Sequence, residues 1–161
     1  MPPRKTAFDE LDYRIIQELH AEARASATDI ARRTGANERT IRKRIDRLVT
    51  DGVIRLTAIL DPLAFGYQTA ADIFLEADPA KEDAILARLM SMPEVTYVAL
   101  GQGTTEISIE ARFRDNQALR EFLGHTLPGI PGVTVSRYAL VPRILRNIDE
   151  WLPPKEDFHL G

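Results

Sequence analysis

Ser26-Ala27-Thr28-Asp29-Ile30-Ala31-Arg32-Arg33-Thr34-Gly35-Ala36-Asn37 is followed by a basic run, Glu38-Arg39-Thr40-Ile41-Arg42-Lys43-Arg44-Ile45-Asp46-Arg47-Leu48-Val49, and then by Asp51-Gly52-Val53-Ile54. The pattern is that of two short helices joined by a glycine turn. It predicts a helix-turn-helix, whose second helix can lie in the major groove of DNA. Ser26 and Asp29 have the spacing of a capping box for a helix over 26–33, with Ile30 and Ala31 inward. Gly35 ends that helix in the left-handed region that glycine adopts freely, and Asn37 caps the next.

On a helical wheel Ile41, Ile45 and Leu48 share one side, and Arg39 and Lys43 point away from it. Arg42 and Arg47 flank that outward pair, and Arg44 stands at the edge of the buried side. Asn37, Arg39, Thr40, Arg42 and Lys43 are therefore expected at the groove, where an arginine can pair with guanine. Arg47, Arg32 and Arg33 are expected at phosphates, which position without specifying. Arg44 is expected in a structural ion pair, and Asp46 would repel phosphate. The competing reading is a solvated helix face.

Upstream, Asp9 is expected to cap a first helix, with Asp12 three residues on to reach back and Phe8 and Tyr13 at hydrophobic-staple positions. Leu11, Ile15, Ile16 and Leu19 form its apolar stripe. The 161 residues carry 44% hydrophobic side chains, enough for one domain or two small ones. There is no cysteine, so disulfides and thiolate metal sites are excluded. No apolar run reaches the ~18 residues that would span a membrane. The opening Met1-Pro2-Pro3-Arg4-Lys5-Thr6 lacks a signal-peptide core, so a cytoplasmic, nucleoid-associated protein is expected. The net charge of −3 conceals an asymmetry. Residues 1–60 hold 12 Lys and Arg against 9 Asp and Glu, whereas residues 61–161 hold 9 against 15. A basic front on an acidic back suits a nucleic-acid module joined to another domain, against the plainer reading of charge scatter.

Val53 to Leu60 is apolar and strand-like, either a connector or a wing on the helices, and Asp61-Pro62 is a turn. From Thr69 the period becomes two. Ala71, Ile73, Leu75 and Ala77 alternate with polar neighbours, and Ile107, Ile109, Ala111 and Phe113 do so again. Strands over 95–100 and 133–141 complete the set. Helices are expected after Asp78-Pro79, with Ile85, Leu86 and Leu89 buried, and after Asp115, with Leu119, Phe122 and Leu123 buried. The order β-α-β-β-α-β is ferredoxin-like, with helices on one face of an antiparallel sheet. Phe74 and Tyr97 either lie on the other face, where exposed aromatics would favour dimerisation, or fill the core. The fold class is therefore α+β, a winged-helix-like helix-turn-helix domain followed by a ferredoxin-like one.

In these motifs the chain resembles the Lrp/AsnC (leucine-responsive regulatory protein, feast/famine) family of transcription regulators. The matching stretches are Leu11-Asp12…Ile15-Ile16…Leu19, Asp29 to Gly35, Thr40 to Leu48, Asp51 to Ile54, Leu60-Asp61-Pro62…Gly66-Tyr67 and Leu127-Pro128…Pro131-Gly132-Val133. They span roughly 8–148. The resemblance implies a DNA-binding domain over 1–53, a connector over 54–68, a ligand-sensing and oligomerising RAM domain over 69–148, and a tail over 149–161. It implies double-stranded DNA as partner, homodimers that assemble as far as octamers, and an amino acid or related metabolite as effector. The effector residues it implies are Gly101, Gln102, Gly103, Thr104, Thr105 and Glu106. Two departures stand out. Thr104 replaces the aspartate that usually ends this Gly-x-x-Asp turn, so the carboxylate suited to an ammonium is absent or displaced to Glu106. The second helix opens Ala36-Asn37-Glu38-Arg39, where Leu-Ser-Pro is frequent.

No cofactor is expected. Gly101-x-Gly103 lacks the third glycine and following helix of a dinucleotide fingerprint and reads as a turn, whose amides could also receive a carboxylate. His20, His125 and His159 lack metal-ligand spacing, and no nucleophilic triad is discernible. Trp151 and Pro153-Pro154 are expected to pack on the domain or a neighbour. The alternatives to a regulator are an effector-independent DNA-compacting protein and, further off, an enzyme of ferredoxin-like fold.

Overall fold

The computed structural model describes residues 8–158, so Met1–Thr6 and His159 lie outside the described residues. The chain divides into two compact units, residues 1–59 with 146–161, and residues 60–145.

The first unit holds α1 (Glu10–Ala21), α2 (Ala27–Thr34) and α3 (Glu38–Thr50). Each begins where a short polar side chain can satisfy the free amides of the first turn. Asp9 and Asp12 form a reciprocal capping box on α1. At α2 the box is only half made. The Ser26 hydroxyl accepts from the Asp29 N–H at 3.1 Å, but it also donates to the Asp29 carboxylate at 2.5 Å. Asn37 caps α3 through the Arg39 N–H. Gly35 closes α2 at φ 73°, in the left-handed region. Ile15, Ile30, Ile41 and Leu48 are wholly buried and join the three helices. Full burial of one such side chain contributes about 1.5–3 kcal/mol.

The segment after α3 departs from expectation. Residues 54–61 form no strand in this chain. Val53 and Ile54 pack on the helical core, but Leu56, Ile59 and Leu60 are exposed. An extended segment becomes a strand only with a neighbour to bond, and this chain supplies none there. The carboxy-terminal segment also returns to this unit. Leu152 and Phe158 join its core, where the Phe158 ring meets Phe8 and Tyr13 edge-on, while Trp151 stays half exposed. The division at 59/60 and 145/146 thus splits the expected connector and attaches residues 146–158 to the helices.

The second unit runs β1 (Thr69–Ala77), α4 (Glu82–Met90), β2 (Val95–Leu100), β3 (Glu106–Phe113), α5 (Asn116–Glu121) and β4 (Val133–Leu140). Asp78-Pro79 opens a short 3₁₀ turn rather than α4 itself, and a π-helical turn over Phe122–Thr126 extends α5. The strands pair antiparallel in the order β2-β3-β1-β4. Period-two alternation puts Ile73, Leu75, Ile107, Ile109 and Ala111 on the helix-covered face, all buried, with Ile85, Leu89, Leu119 and Phe122 above them.

Phe74 and Tyr97 lie on the opposite face. Phe74 stands opposite Ser108 and lies under the Arg137 guanidinium, 3.4 Å from the ring centre; Tyr97 stands opposite Glu110 and is 58% exposed. The same face sets Asp72 against Glu110 and Glu76 against Glu106. Like charges in directly opposed positions are unfavourable.

Candidate nucleic-acid interface

The geometry of α3 follows from how α2 and α1 hold it. Arg14 of α1 donates to the carbonyls of Arg33 at 2.7 Å and Thr34 at 3.1 Å. A cation here satisfies the free carbonyls at the end of α2 and complements its dipole. The Thr28 hydroxyl donates to Glu38 at 2.8 Å, linking the first turns of α2 and α3. Ile41 and Leu48 then lock the inner side of α3.

The outer side carries Arg39, Thr40, Arg42, Lys43 and Asp46, all exposed. Among the described residues Arg39 and Lys43 make no ion pair. Arg42 donates to Glu38 through Nε at 3.0 Å and Nη2 at 2.6 Å. That hydrogen bond, and the one from Thr28, hold the Glu38 carboxyl below its ordinary pKa. The pair is solvent-exposed and screened, so Arg42 can leave it at small cost. Arg32 pairs with Asp29 at 3.0 Å, and Arg33 with Glu18 at 2.6 Å, both at the surface. The Asn37 carbonyl oxygen is occupied by its capping bond.

The expectation for Arg47 requires correction. Its side chain turns inward and donates to Asp12 at 2.5 Å, and its Nε is buried without a partner. Arg44, expected in an ion pair, reaches Asp9 at 2.6 Å and the same Asp12 at 3.0 Å. These carboxylates raise the Arg44 pKa further. Asp12 itself is fully buried. A buried carboxylate is costly unless paired and hydrogen-bonded, and two guanidinium groups answer that need. The sequence reading saw only its capping role. The available signal was position: Asp12 precedes Ile16 by one helical turn and so belongs to the buried stripe.

The second expected site is the turn between β2 and β3. Gly101 to Glu106 are brought together there. The Gly101 N–H donates to the Glu106 carbonyl at 2.9 Å, and the Glu106 N–H to the Thr104 hydroxyl at 2.7 Å. Gln102, Gly103, Thr104 and Thr105 are exposed, and Glu106 is half-buried. A concavity of about 390 Å³ opens at the other end of these strands, between Glu94, Phe113, Arg114 and Phe122.

The comparisons with known proteins match both halves. Residues 8–55 match the profile of winged helix-turn-helix DNA-binding domains, and residues 71–147 that of the Lrp/AsnC ligand binding domain. An uncharacterized HTH-type transcriptional regulator of Pyrococcus abyssi is 32% identical over 149 residues, 92% of each chain. This chain belongs to the Lrp/AsnC family. The HTH-type transcriptional regulator FL11 of Pyrococcus horikoshii is 32% identical over 152 residues, covering 94% of this chain and 99% of that one. Among solved structures, Escherichia coli AsnC superposes with a TM-score of 0.79 at 27% identity, covering 89% of this chain and 99% of AsnC. A Neisseria meningitidis transcriptional regulator solved in complex with L-Met reaches 0.83 at 22% identity, over 92% and 97% of the two chains, a likeness of fold. As an Lrp/AsnC protein the chain is a helix-turn-helix transcriptional regulator with a ligand-binding domain, in a family of regulators rather than enzymes. No helix among the described residues is long and apolar enough to cross a membrane.

Proposed function

We propose that this regulator acts in the cytoplasm, on the nucleoid, as a homodimer or larger assembly whose α3 enters the major groove of its operator. Arg39 and Lys43, with Arg42 and Thr40, meet the bases or their flanking phosphates, and Arg32 and Arg33 meet phosphates at the edge. The observation that carries this reading is the exposed, unpaired state of Arg39 and Lys43 on the side of α3 opposite buried Ile41 and Leu48. Two-fold symmetry would pair half-sites a helical turn or a multiple of it apart. The protein works by binding rather than by catalysis.

The turn from Gly101 to Glu106 serves as the effector site, taking an amino acid or related metabolite. Exposure of Gln102 to Thr105 in a single chain favours a ligand enclosed between two copies. With Thr104 in place of a carboxylate, Glu106 is the group available for an ammonium. Effector binding would stabilise one assembly over another, at about 1–3 kcal/mol of coupling.

The test is affinity for the protein's own promoter against a scrambled duplex of equal length, at fixed salt. A regulator of this kind should prefer the promoter by about 10³-fold or more. A ratio near one would favour sequence-indifferent compaction and sink the proposal.

A further inference from the structure

Arg39, Lys43 and Arg47 are spaced by four, so on a straight helix they form one row rising a turn at a time. Only the first two stand free. Asp12 removes the third, and Arg44 beside it. Its carboxylate is divided between them: Oδ1 accepts from Arg44 at 3.0 Å, and Oδ2 accepts from Arg47 at 2.5 Å and from the Asp9 N–H at 3.2 Å. Asp12 is wholly buried, whereas the Arg44 and Arg47 side chains keep 27% and 38% of their exposure. Both guanidinium groups thus sit at the surface edge of α3, held back by a charge beneath them. The stranded Nε of Arg47 shows that this hold sacrifices a donor.

We infer that Asp12 is a positioning residue for DNA recognition: it withholds Arg44 and Arg47 from the phosphates and so protects the discrimination between operator and other DNA. The inference rests on the reading of α3 as the groove helix. Each cation that reaches a phosphate strengthens binding to every sequence alike. Five basic side chains on one helix would therefore raise non-specific binding. Committing two of them to Asp12 leaves the outward residues as the main determinants of affinity. Packing alone needs no carboxylate here, since apolar residues commonly replace such ion pairs without loss of stability.

The test is a salt series of binding constants, by fluorescence anisotropy, for the promoter and for scrambled DNA. In Asp12→Asn both arginines are released. The plot of log K against log salt should steepen by about 1 to 2, at about 0.9 per added phosphate contact, and the preference for the promoter should fall. A folded Asp12→Asn with the parent's slope would overturn the inference; a purely structural role would leave the slope unmoved. If Asp12→Asn loses the parent's helical circular dichroism, Arg44→Gln and Arg47→Gln in the parent background decide. Unchanged slopes support withholding, and a slope shallower by about 0.9 in either shows that arginine already on a phosphate and overturns it. Arg39→Ala, run alongside, separates the two claims. If it binds as the parent does, the groove reading falls and takes this inference with it. If it weakens binding while Arg47→Gln flattens the slope, only the withholding role falls.

Discussion

Replacing Gly35 by alanine isolates the backbone cost of the turn between α2 and α3. Gly35 sits at φ 73°, and a Cβ built there meets nothing within 4 Å. No steric term enters, and the left-handed conformation alone sets the magnitude, roughly 1–2 kcal/mol for an L-residue. Alanine also restricts the unfolded chain, which returns about 0.4–1 kcal/mol. The net expectation is a loss of about 1 kcal/mol. Trp151, the sole tryptophan, belongs to the helical unit, so its fluorescence reports unfolding of that unit. With a urea dependence of about 1 kcal/mol per molar for so small a unit, the midpoint should fall by about 1 M. Gly35→Asn should lose less, because asparagine tolerates this region better. An alanine variant that unfolds with the parent, or an asparagine variant as weak as alanine, would refute the assignment of the turn to backbone conformation.

Gly132→Ala should be worse, at about 2–4 kcal/mol by urea unfolding followed in far-ultraviolet circular dichroism. It adds to a positive φ of 92° a Cβ only 2.9 Å from that of Asp78, so strain and overpacking combine. The Asp9 carboxyl predicts an acid limb. Burial alone would raise its pKa, but the Arg44 hydrogen bond, with that of the Asp12 N–H, leaves it below the ordinary value. Its stabilising contribution is therefore complete above about pH 4 and is lost as pH falls below that. Melting temperatures of Asp9→Asn should decline less steeply than the parent's across that range. If the turn at 101–106 binds an amino acid, a thermal-shift screen should reveal an upward shift, equivalent to about 2.7 kcal/mol at a hundred times the dissociation constant. A flat screen across the amino acids would retire that class of effector.

Much of the fold is legible in the sequence because two periods dominate it. Ile107, Ile109, Ala111 and Phe113 could face inward together only on a strand, and Ile41, Ile45 and Leu48 only on a helix. Caps at Asp9, Asn37 and Asp115 mark the helix starts for the same local reason. What was not legible depended on partners remote in sequence. Val53 to Leu60 has the composition of a strand, yet pairing needs a neighbour that this chain does not place there. Arg47 has the wheel position of a phosphate contact, yet a carboxylate 35 residues earlier claims it. Composition cannot say which cation an aspartate will take. The turn at 101–106 was visible as a turn, but its ligand depends on surfaces beyond one chain.

The claim on which the account depends is that Arg39 and Lys43 carry operator recognition. Its most direct test is the promoter affinity of the double variant Arg39→Ala, Lys43→Ala, with folding verified by the Trp151 signal. A lost base or phosphate contact at each position should cost about 1–3 kcal/mol apiece, a combined fall of at least 30-fold, steeper for the promoter than for scrambled DNA. An undiminished promoter affinity in a folded double variant would contradict the account.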